Sequence, residues 1–340
     1  HTLAQLGYTS LSQVIGRSDL LKTRDDIQFP KSTSLDLHSL VAHPIPCIEY
    51  THDPTVSSQA DLEQLNSYKS IDDNLLERAE LQHAITHHGE FAFDGLISNT
   101  DRTIGARISG EIAKIHGDNN FAGNIRLNFN GSAGQSFGAF NIQNLHLTLT
   151  GESNDYVGKS MSGGEIVVKP FADTKYNTWE NVIIGNTCLY GATGGALYVA
   201  GQAGERFAIR NSGALAVVEG AGDHCCEYMT GGTAIILGKV GRNFAAGMTG
   251  GLAYVYDETN TVPTLFNDDE GKILQRLPLN IATLVLRHIE KHYQLTGSLR
   301  AQFIIENWDE CSQKFWQVVP PAEAAAIDTI HLQANVNNIR

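Results

Sequence analysis

The apolar residues of the middle of the chain fall into short β-type runs, each closed by glycine. "IRLNFNG" ends at Gly131, "LHLTLTG" at Gly151, "ALYVAG" at Gly201, "ALAVVEG" at Gly220 and "TAIILG" at Gly238. "LAYVYD" follows and ends at Asp257 without the glycine. Successive ends lie 20, 19, 18 and 19 residues apart (131 to 151, 201 to 220, 220 to 238, 238 to 257), with a looser register between Gly151 and Gly201. There "NVIIG", ending at Gly185, supplies another strand, and the polar "PFADTKYNTWEN" (Pro170–Asn181) reads as an insertion. A repeat of about 20 residues built on strands predicts a solenoid, because one coil cannot bury its inward face alone and must stack on the next.

The pattern predicts a mainly β fold: a single-stranded right-handed parallel β-helix over residues 98–262. Flanking helical segments occupy 1–97 and 263–340. Leucine-rich repeats share the period, but their L-x-x-L-x-L frame is not found. No six-residue subperiod marks a left-handed helix, which favours the right hand. The recurring glycines predict corners where the backbone takes positive φ or where layers approach closely. Gly131, Gly151, Gly164, Gly195, Gly201, Gly220, Gly232, Gly238 and Gly251 are the candidate structural positions.

In the leading segment, Ser10 predicts an N-cap with Gln13 as its capping-box partner and Gly16 as the stop. Pro30–Pro54 reads as extended linker. Asp72 is a candidate cap for a helix running to His88, and a further helix should bury Ile108, Ile112 and Ile115. In the last segment, Ile281, Leu284, Val285, Ile289 and Tyr293 form one apolar stripe. Ile304, Trp308, Cys311 and Phe315 form another, with Ser298 as N-cap and Pro320–Pro321 as the stop. A solenoid needs its open ends covered, and these helices would cap or brace it; the tail beyond Pro321 is expected to be poorly ordered.

Composition narrows the function. With 24 Lys and Arg against 37 Asp and Glu, the net charge of −13 offers no clustered positive field for nucleic acid or an anionic membrane. No apolar run is long enough to span a bilayer. Five cysteines without a C-x-x-C pair predict reduced thiols and a cytoplasmic setting. The first residue is His1 rather than Met, which predicts a piece of a longer polypeptide.

The chemical candidates reduce to structure. "GAGDHC" holds only two glycines of a dinucleotide fingerprint and opens no βαβ unit, and "GATGG" is not followed by Lys-Ser/Thr. Asp223, His224, Cys225, Cys226 and Glu227 are the densest reactive set, yet consecutive strand residues alternate faces and cannot converge without a special turn. His87 and His88 point to different helix faces and lack a third ligand. Asp101 and Arg102 read as a local pair or cap.

"NTDRTIGARISGEIAKIHG", "FNGSAGQSFGAFN", "LTGESNDYVGKSMSGGEIVVKP" and "GATGGALYVAGQAGERFAIRNSGALAVVEGAGDHCCEYMTGG" closely resemble the C-terminal region of the glutamate synthase large subunit. So does "LGKVGRNFAAGMTGGLAYV". The opening "LGYTSLSQVIGRSDLL" looks like the lead-in from that family's FMN barrel, and "HYQLTGSLRAQFIIENW" is similar to the bacterial NADPH-dependent form. The resemblance covers nearly the whole chain. It implies a right-handed β-helix of architectural role, holding a glutaminase domain and an FMN and [3Fe–4S] synthase domain in relation to each other. The parent would make L-glutamate from L-glutamine and 2-oxoglutarate, drawing on NADPH through a small partner subunit. The family's N-terminal cysteine, barrel and three-cysteine cluster motif are not in this sequence, so no catalytic, cofactor or metal residue carries over. The alternative is a free-standing relative, similar to the β-helix subunit of formylmethanofuran dehydrogenase or with a ligand of its own.

Overall fold

The computed structural model describes residues 1–22, 37, 69–268 and 271–324. The chain divides into two compact units, His1–Tyr68 and Lys69–Arg340. Apart from Leu37, the expected linker Pro30–Pro54 lies outside the described residues, as does the tail from residue 325 on.

In the first unit, helix α1 (Thr2–Gln5) is followed by a 3-10 turn, Leu11–Gln13. Ser10 and Gln13 form a capping box there, and Gly16 follows at φ +76°. The element is three residues long, and Leu11 and Ile15 are exposed, so its apolar side gains little from packing among the described residues.

The second unit opens with α2 (Ile71–Leu76) and α3 (Ala79–His87) rather than one helix to His88. Ser70, not Asp72, is the cap: its hydroxyl accepts from the Asp73 amide, while the Asp73 carboxylate accepts from the Ser70 amide. Asp72 instead turns inward and accepts from the amides of Gly105 and Arg107, at 2.9 and 3.0 Å. It thereby satisfies the N-terminal donors of α4 (Ala106–His116) across the chain. Helix α4 buries Ile108 and Ile112, whereas Ile115 is exposed one turn on.

Among the described residues eleven strands form one sheet. They are β1 (Glu90–Ile97), β2 (Asn124–Ala133), β3 (Leu145–Ser153), β4 (Ser162–Lys169), β5 (Val182–Ile184) and β6 (Gly194–Ala203), then β7 (Ser212–Ala221), β8 (Thr230–Ile236), β9 (Gly250–Tyr256), β10 (Ile273–Arg276) and β11 (Phe315–Val319). The order is β1-β2-β3-β4-β6-β7-β8-β9-β11-β10, with β5 bridging β3 and β6. Pairing from β1 to β9 is parallel throughout, each strand lying on the one before. Ile125 sits on Leu145, His146 on Glu165, Ala196 on Leu215, Leu215 on Thr233 and Thr233 on Leu252. The sequence repeat is therefore the ladder register. The ladder takes in β1, which lies within the leading segment 1–97.

Two cores share these strands. Val168, Val199, Val218, Ile236 and Val255 stack in one column facing the first core, which the turns between strands close with Phe137, Val157, Leu189, Phe207 and Phe244. Their neighbours Val167, Tyr198, Val217, Ile235 and Tyr254 stack on the opposite face. There they meet Val285 and Ile289 of α6 (Leu279–Thr296) and Ala301 and Ile304 of α7 (Leu299–Glu306), counting the short α5 (Val262–Leu265) before them. Strands covered on both faces read as unbroken apolar runs such as "LYVA" and "AIIL". In β2 and β3 polar residues alternate instead, as in "RLNFN" and "HLTLT", and Arg126 and Asn130 are exposed.

The last predicted stripe splits. After α7 and the short α8 (Trp308–Cys311), Phe315 begins strand β11, which pairs antiparallel with β9 and β10 and covers the end of the parallel ladder. The aromatic residues and β-branched valines of "FWQVV" fit a strand, and Phe315 reaches the helix-side core from it. On α6, Leu284 and Tyr293 of the expected stripe are partly exposed, and Ala282 and His292 take the buried positions. No helix among the described residues is long and apolar enough to cross a membrane.

Candidate functional site

The turns between strands repeat one unusual backbone. Non-consecutive residues at spacing two sit at left-handed φ: Ser136, Gly138 and Phe140, then Tyr156, Gly158 and Ser160, then Thr187, Leu189 and Gly191. Arg206, Ala208 and Arg210 continue the series, followed by His224, Cys226 and Tyr228 and by Asn243, Ala245 and Gly247. Their amides alternate between layers. His224 donates to Arg242 O at 2.8 Å in the following layer, Cys226 to Phe207 O at 2.8 Å in the preceding one, and Tyr228 to Ala246 O at 2.9 Å in the following one. The left-handed φ thus lets an irregular turn behave as a strand of the ladder. It also buries Leu189, Ala208 and Cys226 against the first core.

That turn brings the Asp223–Glu227 run together only in part. Asp223 binds the following layer, accepting from the Arg242 amide at 2.8 Å and from its guanidinium at 2.6 Å. The guanidinium holds the Asp223 carboxyl below the usual range. His224 Nδ1, itself buried, lies 3.4 Å from Glu227 Oε1, and both side chains are half-buried. Cys225 and Cys226 are buried with their sulfurs 3.7 Å apart, and their mutual hydrogen bond and burial push the Cys225 thiol well above its ordinary range. A protonated thiol facing the core is not a nucleophile. Burial pushes Cys188 up to about 12 as well.

The cluster implied for the parent enzyme does not fit the described cysteines. A cluster needs several thiolates converging on one point. Here Cys188 donates to Gly185 O, the adjacent Cys225 and Cys226 sit elsewhere, and Cys311 lies 3.3 Å from the Tyr256 hydroxyl. Among the described residues no three His, Cys, Asp or Glu side chains gather as a metal site.

Eight of the nine candidate glycines lie in strands of the ladder, and Gly238 lies two residues past the end of β8. Gly251 has φ +78°, and a Cβ there would stand 2.6 Å from the Gly231 carbonyl carbon of the layer before. Gly232 repeats this at φ +79°, with Ala214 O at 2.5 Å. Gly164 and Gly195 occupy the same place in their layers at φ +72° and +83°. Gly131 pairs with Gly151, where an added Cβ would stand 2.0 Å from Ile97 O and 1.9 Å from Gly131 O respectively. Gly201 faces Ile183 at 2.7 Å. Gly220 and Gly238 have no positive φ and instead face Gln202 at 2.9 Å and Glu219 O at 2.4 Å.

The residues that sequence reading missed are two carboxylates inside apolar runs. Glu165, in "GGEIVV", meets Lys291 of α6 at 2.7 Å and His146 at 3.9 Å. Glu219, in "LAVVEG", is fully buried between β7 and the α6–α7 corner. It accepts from the Ser298 hydroxyl and, at 3.4 Å, from Thr178, while His292 Nε2 stands 3.7 Å away. Their signal was the carboxylate itself: a charge within a β-branched run needs a partner from another element.

The sequence matches the GXGXG motif family over residues 72–321. It is 50% identical over 325 residues to ferredoxin-dependent glutamate synthase 2 of Synechocystis sp., covering 94% of this chain and 20% of that protein. It is 47% identical over 328 residues to the ferredoxin-dependent glutamate synthase of Antithamnion sp., and 49% over 324 residues to the chloroplastic ferredoxin-dependent glutamate synthase 2 of Arabidopsis thaliana. Each alignment takes in 94% of this chain and, respectively, 20% and 19% of the relative, so the chain spans about a fifth of their length. All three carry the ferredoxin-dependent name, which does not support the narrowing to the NADPH-dependent type. The match begins at Asp72, which ties α2 to α4, and ends at Pro321 just past the strand that covers the ladder: the chain belongs to the GXGXG motif family.

Proposed function

We propose that this chain is the right-handed parallel β-helix domain of a glutamate synthase large subunit, working in the cytoplasm and holding that enzyme's catalytic domains in fixed relation. The observation that carries the reading is identity near 50% along 94% of the chain to a ferredoxin-dependent glutamate synthase. The stacked parallel strands, one layer per sequence repeat, support the β-helix. The partners are then a glutaminase domain and a synthase domain carrying FMN and a [3Fe–4S] cluster in the same polypeptide. Reduced ferredoxin is the electron donor, in place of a small NADPH-oxidising subunit. Glutamine supplies ammonia, and the imine formed with 2-oxoglutarate takes up two electrons and two protons to give L-glutamate.

This chain's own part is stiffness. Its described thiols are buried, Gly164, Gly195, Gly232 and Gly251 sit against the backbone of the adjacent layer, and Glu165 and Glu219 are tied between sheet and helices. The test is to purify the full polypeptide of which residues 1–340 form a part. It should carry a flavin spectrum and form glutamate with reduced ferredoxin, and not with NADPH. Flavin or glutaminase turnover retained by residues 1–340 alone would overturn the architectural role. A native chain without any further domain would favour the free-standing alternative.

A further inference from the structure

The step from Glu165 on β4 to Ala196 on β6 is 31 residues, against 19 from His146 to Glu165. The surplus of twelve is the segment Pro170–Asn181, which leaves the sheet, makes one 3-10 turn at Thr178–Glu180 and returns at β5. Insertions in a repeat array lie on one face and commonly serve binding. This one stands opposite the α6–α7 corner, Thr296–Leu299, and the two enclose a cleft of about 320 Å³.

Both walls are fixed from below. Glu219 accepts from Thr178 of the insertion and from Ser298 of the corner, and Gln202 Nε2 donates to Trp179 O at 2.7 Å. The cleft is thus held in shape by a buried carboxylate that reaches both sides. At its mouth Phe171, Tyr176 and Leu299 are 39%, 47% and 63% exposed. Among the described residues no charged side chain lines it, and Asn177 and Thr174 offer neutral hydrogen-bonding groups at the rim.

We propose that this cleft seats an uncharged apolar anchor from another domain of the same polypeptide, an aliphatic or aromatic side chain whose main chain meets Asn177 and Thr174. The inference rests on the reading of the chain as one domain of a longer enzyme. The relatives are about five times the length of the aligned stretch, which supplies an occupant within the molecule itself. A preformed pocket with aromatic walls and a neutral polar rim is the composition that anchors interfaces.

Hydroxyl-radical footprinting of the full-length enzyme tests this, with Phe140 and Tyr228, 55% and 50% exposed on the turns, as references within the same molecule. Corrected for intrinsic reactivity, Phe171, Tyr176 and Leu299 should be modified several-fold more slowly than the references. In the full-length Leu299→Glu variant, Phe171 and Tyr176 should rise to the reference rate while buried Phe207 stays protected. Modification of the three at the reference rate in the wild type overturns the proposal. So does protection that grows with protein concentration, which assigns the cleft to a second copy, or protection lost on dialysis, which assigns it to a small ligand. An intact native chain of no more than 340 residues would sink the underlying reading, and this inference with it, on mass alone.

Discussion

At the residue scale the governing feature is left-handed backbone, and only half of it is written in glycine. A non-glycine residue there costs roughly 1–2 kcal/mol, offset here by an amide paired across layers. Glycine at such a site relieves that cost but adds about 0.5–1 kcal/mol of unfolded-chain entropy. Arg206, at φ +59° and exposed, separates these effects. Arg206→Gly should leave stability unchanged or raise it by up to about 1 kcal/mol, and Arg206→Val should lower it, both read from urea midpoints. Gly232→Val and Gly251→Val should each cost a few kcal/mol, since the added atoms meet backbone of the adjacent layer. Unchanged melting in both would refute the stacked corner. The glycine positions were legible because glycine is the residue such corners select. Leu189, Cys226 and Tyr228 gave no sign, since a propensity reading assigns them to ordinary φ and only the layers on either side override it.

At the element scale, the strand positions could be read because their register equals the repeat. The helices could be read less well. Leu284 and Tyr293 obey the helical period, yet the sheet offers a narrow seat that Val285, Ile289 and His292 fill. β1 and β11 were missed because each occurs once, outside the repeat. The ties between helix and sheet are the element's energetic signature. Ser298 caps α7 by accepting from the Ala301 amide at 2.9 Å and donates to Glu219 with the same hydroxyl. Ser298→Ala should therefore cost about 3 kcal/mol, a lost cap plus a buried carboxyl group with one partner fewer, and Ser298→Thr much less. Glu165 carries the pH dependence. The His146 imidazole and the Lys291 ammonium hold its carboxyl below the ordinary glutamate value of 4.5. The folded state thus binds this proton less tightly than the unfolded chain does. Its contribution is fully present above that value and is lost as pH falls through the depressed folded value. Wild type should lose stability on acidification below about pH 4.5 more steeply than Glu165→Gln, by about 1 kcal/mol or less because Lys291 is half exposed. Parallel acid-denaturation curves for the two proteins would refute it.

At the scale of the whole molecule, a ladder in which each layer touches only its neighbours has stability that is nearly a sum of layer and interface terms. The layers are not equal. β6, β7 and β8 are buried on both faces, between the first core and helices α6 and α7, and each is paired with a strand on either side. β1 is paired on one side among the described residues, and its outward positions Glu90, Ala92, Asp94 and Leu96 are exposed. Opening from the β1 end therefore breaks one strand interface and exposes little apolar surface. Opening at β7 must break two interfaces and uncover both cores. Amide hydrogen exchange should then be graded along the ladder, slowest at Val217 and Ile235, intermediate at Leu147, and fastest at Ala92 and Asp94. Gly151→Val should loosen β2 and β3, raising exchange there well above the level in β7. Uniform exchange through all layers, or equal loosening of β7 by that substitution, would mean that the sheet opens as one unit rather than layer by layer.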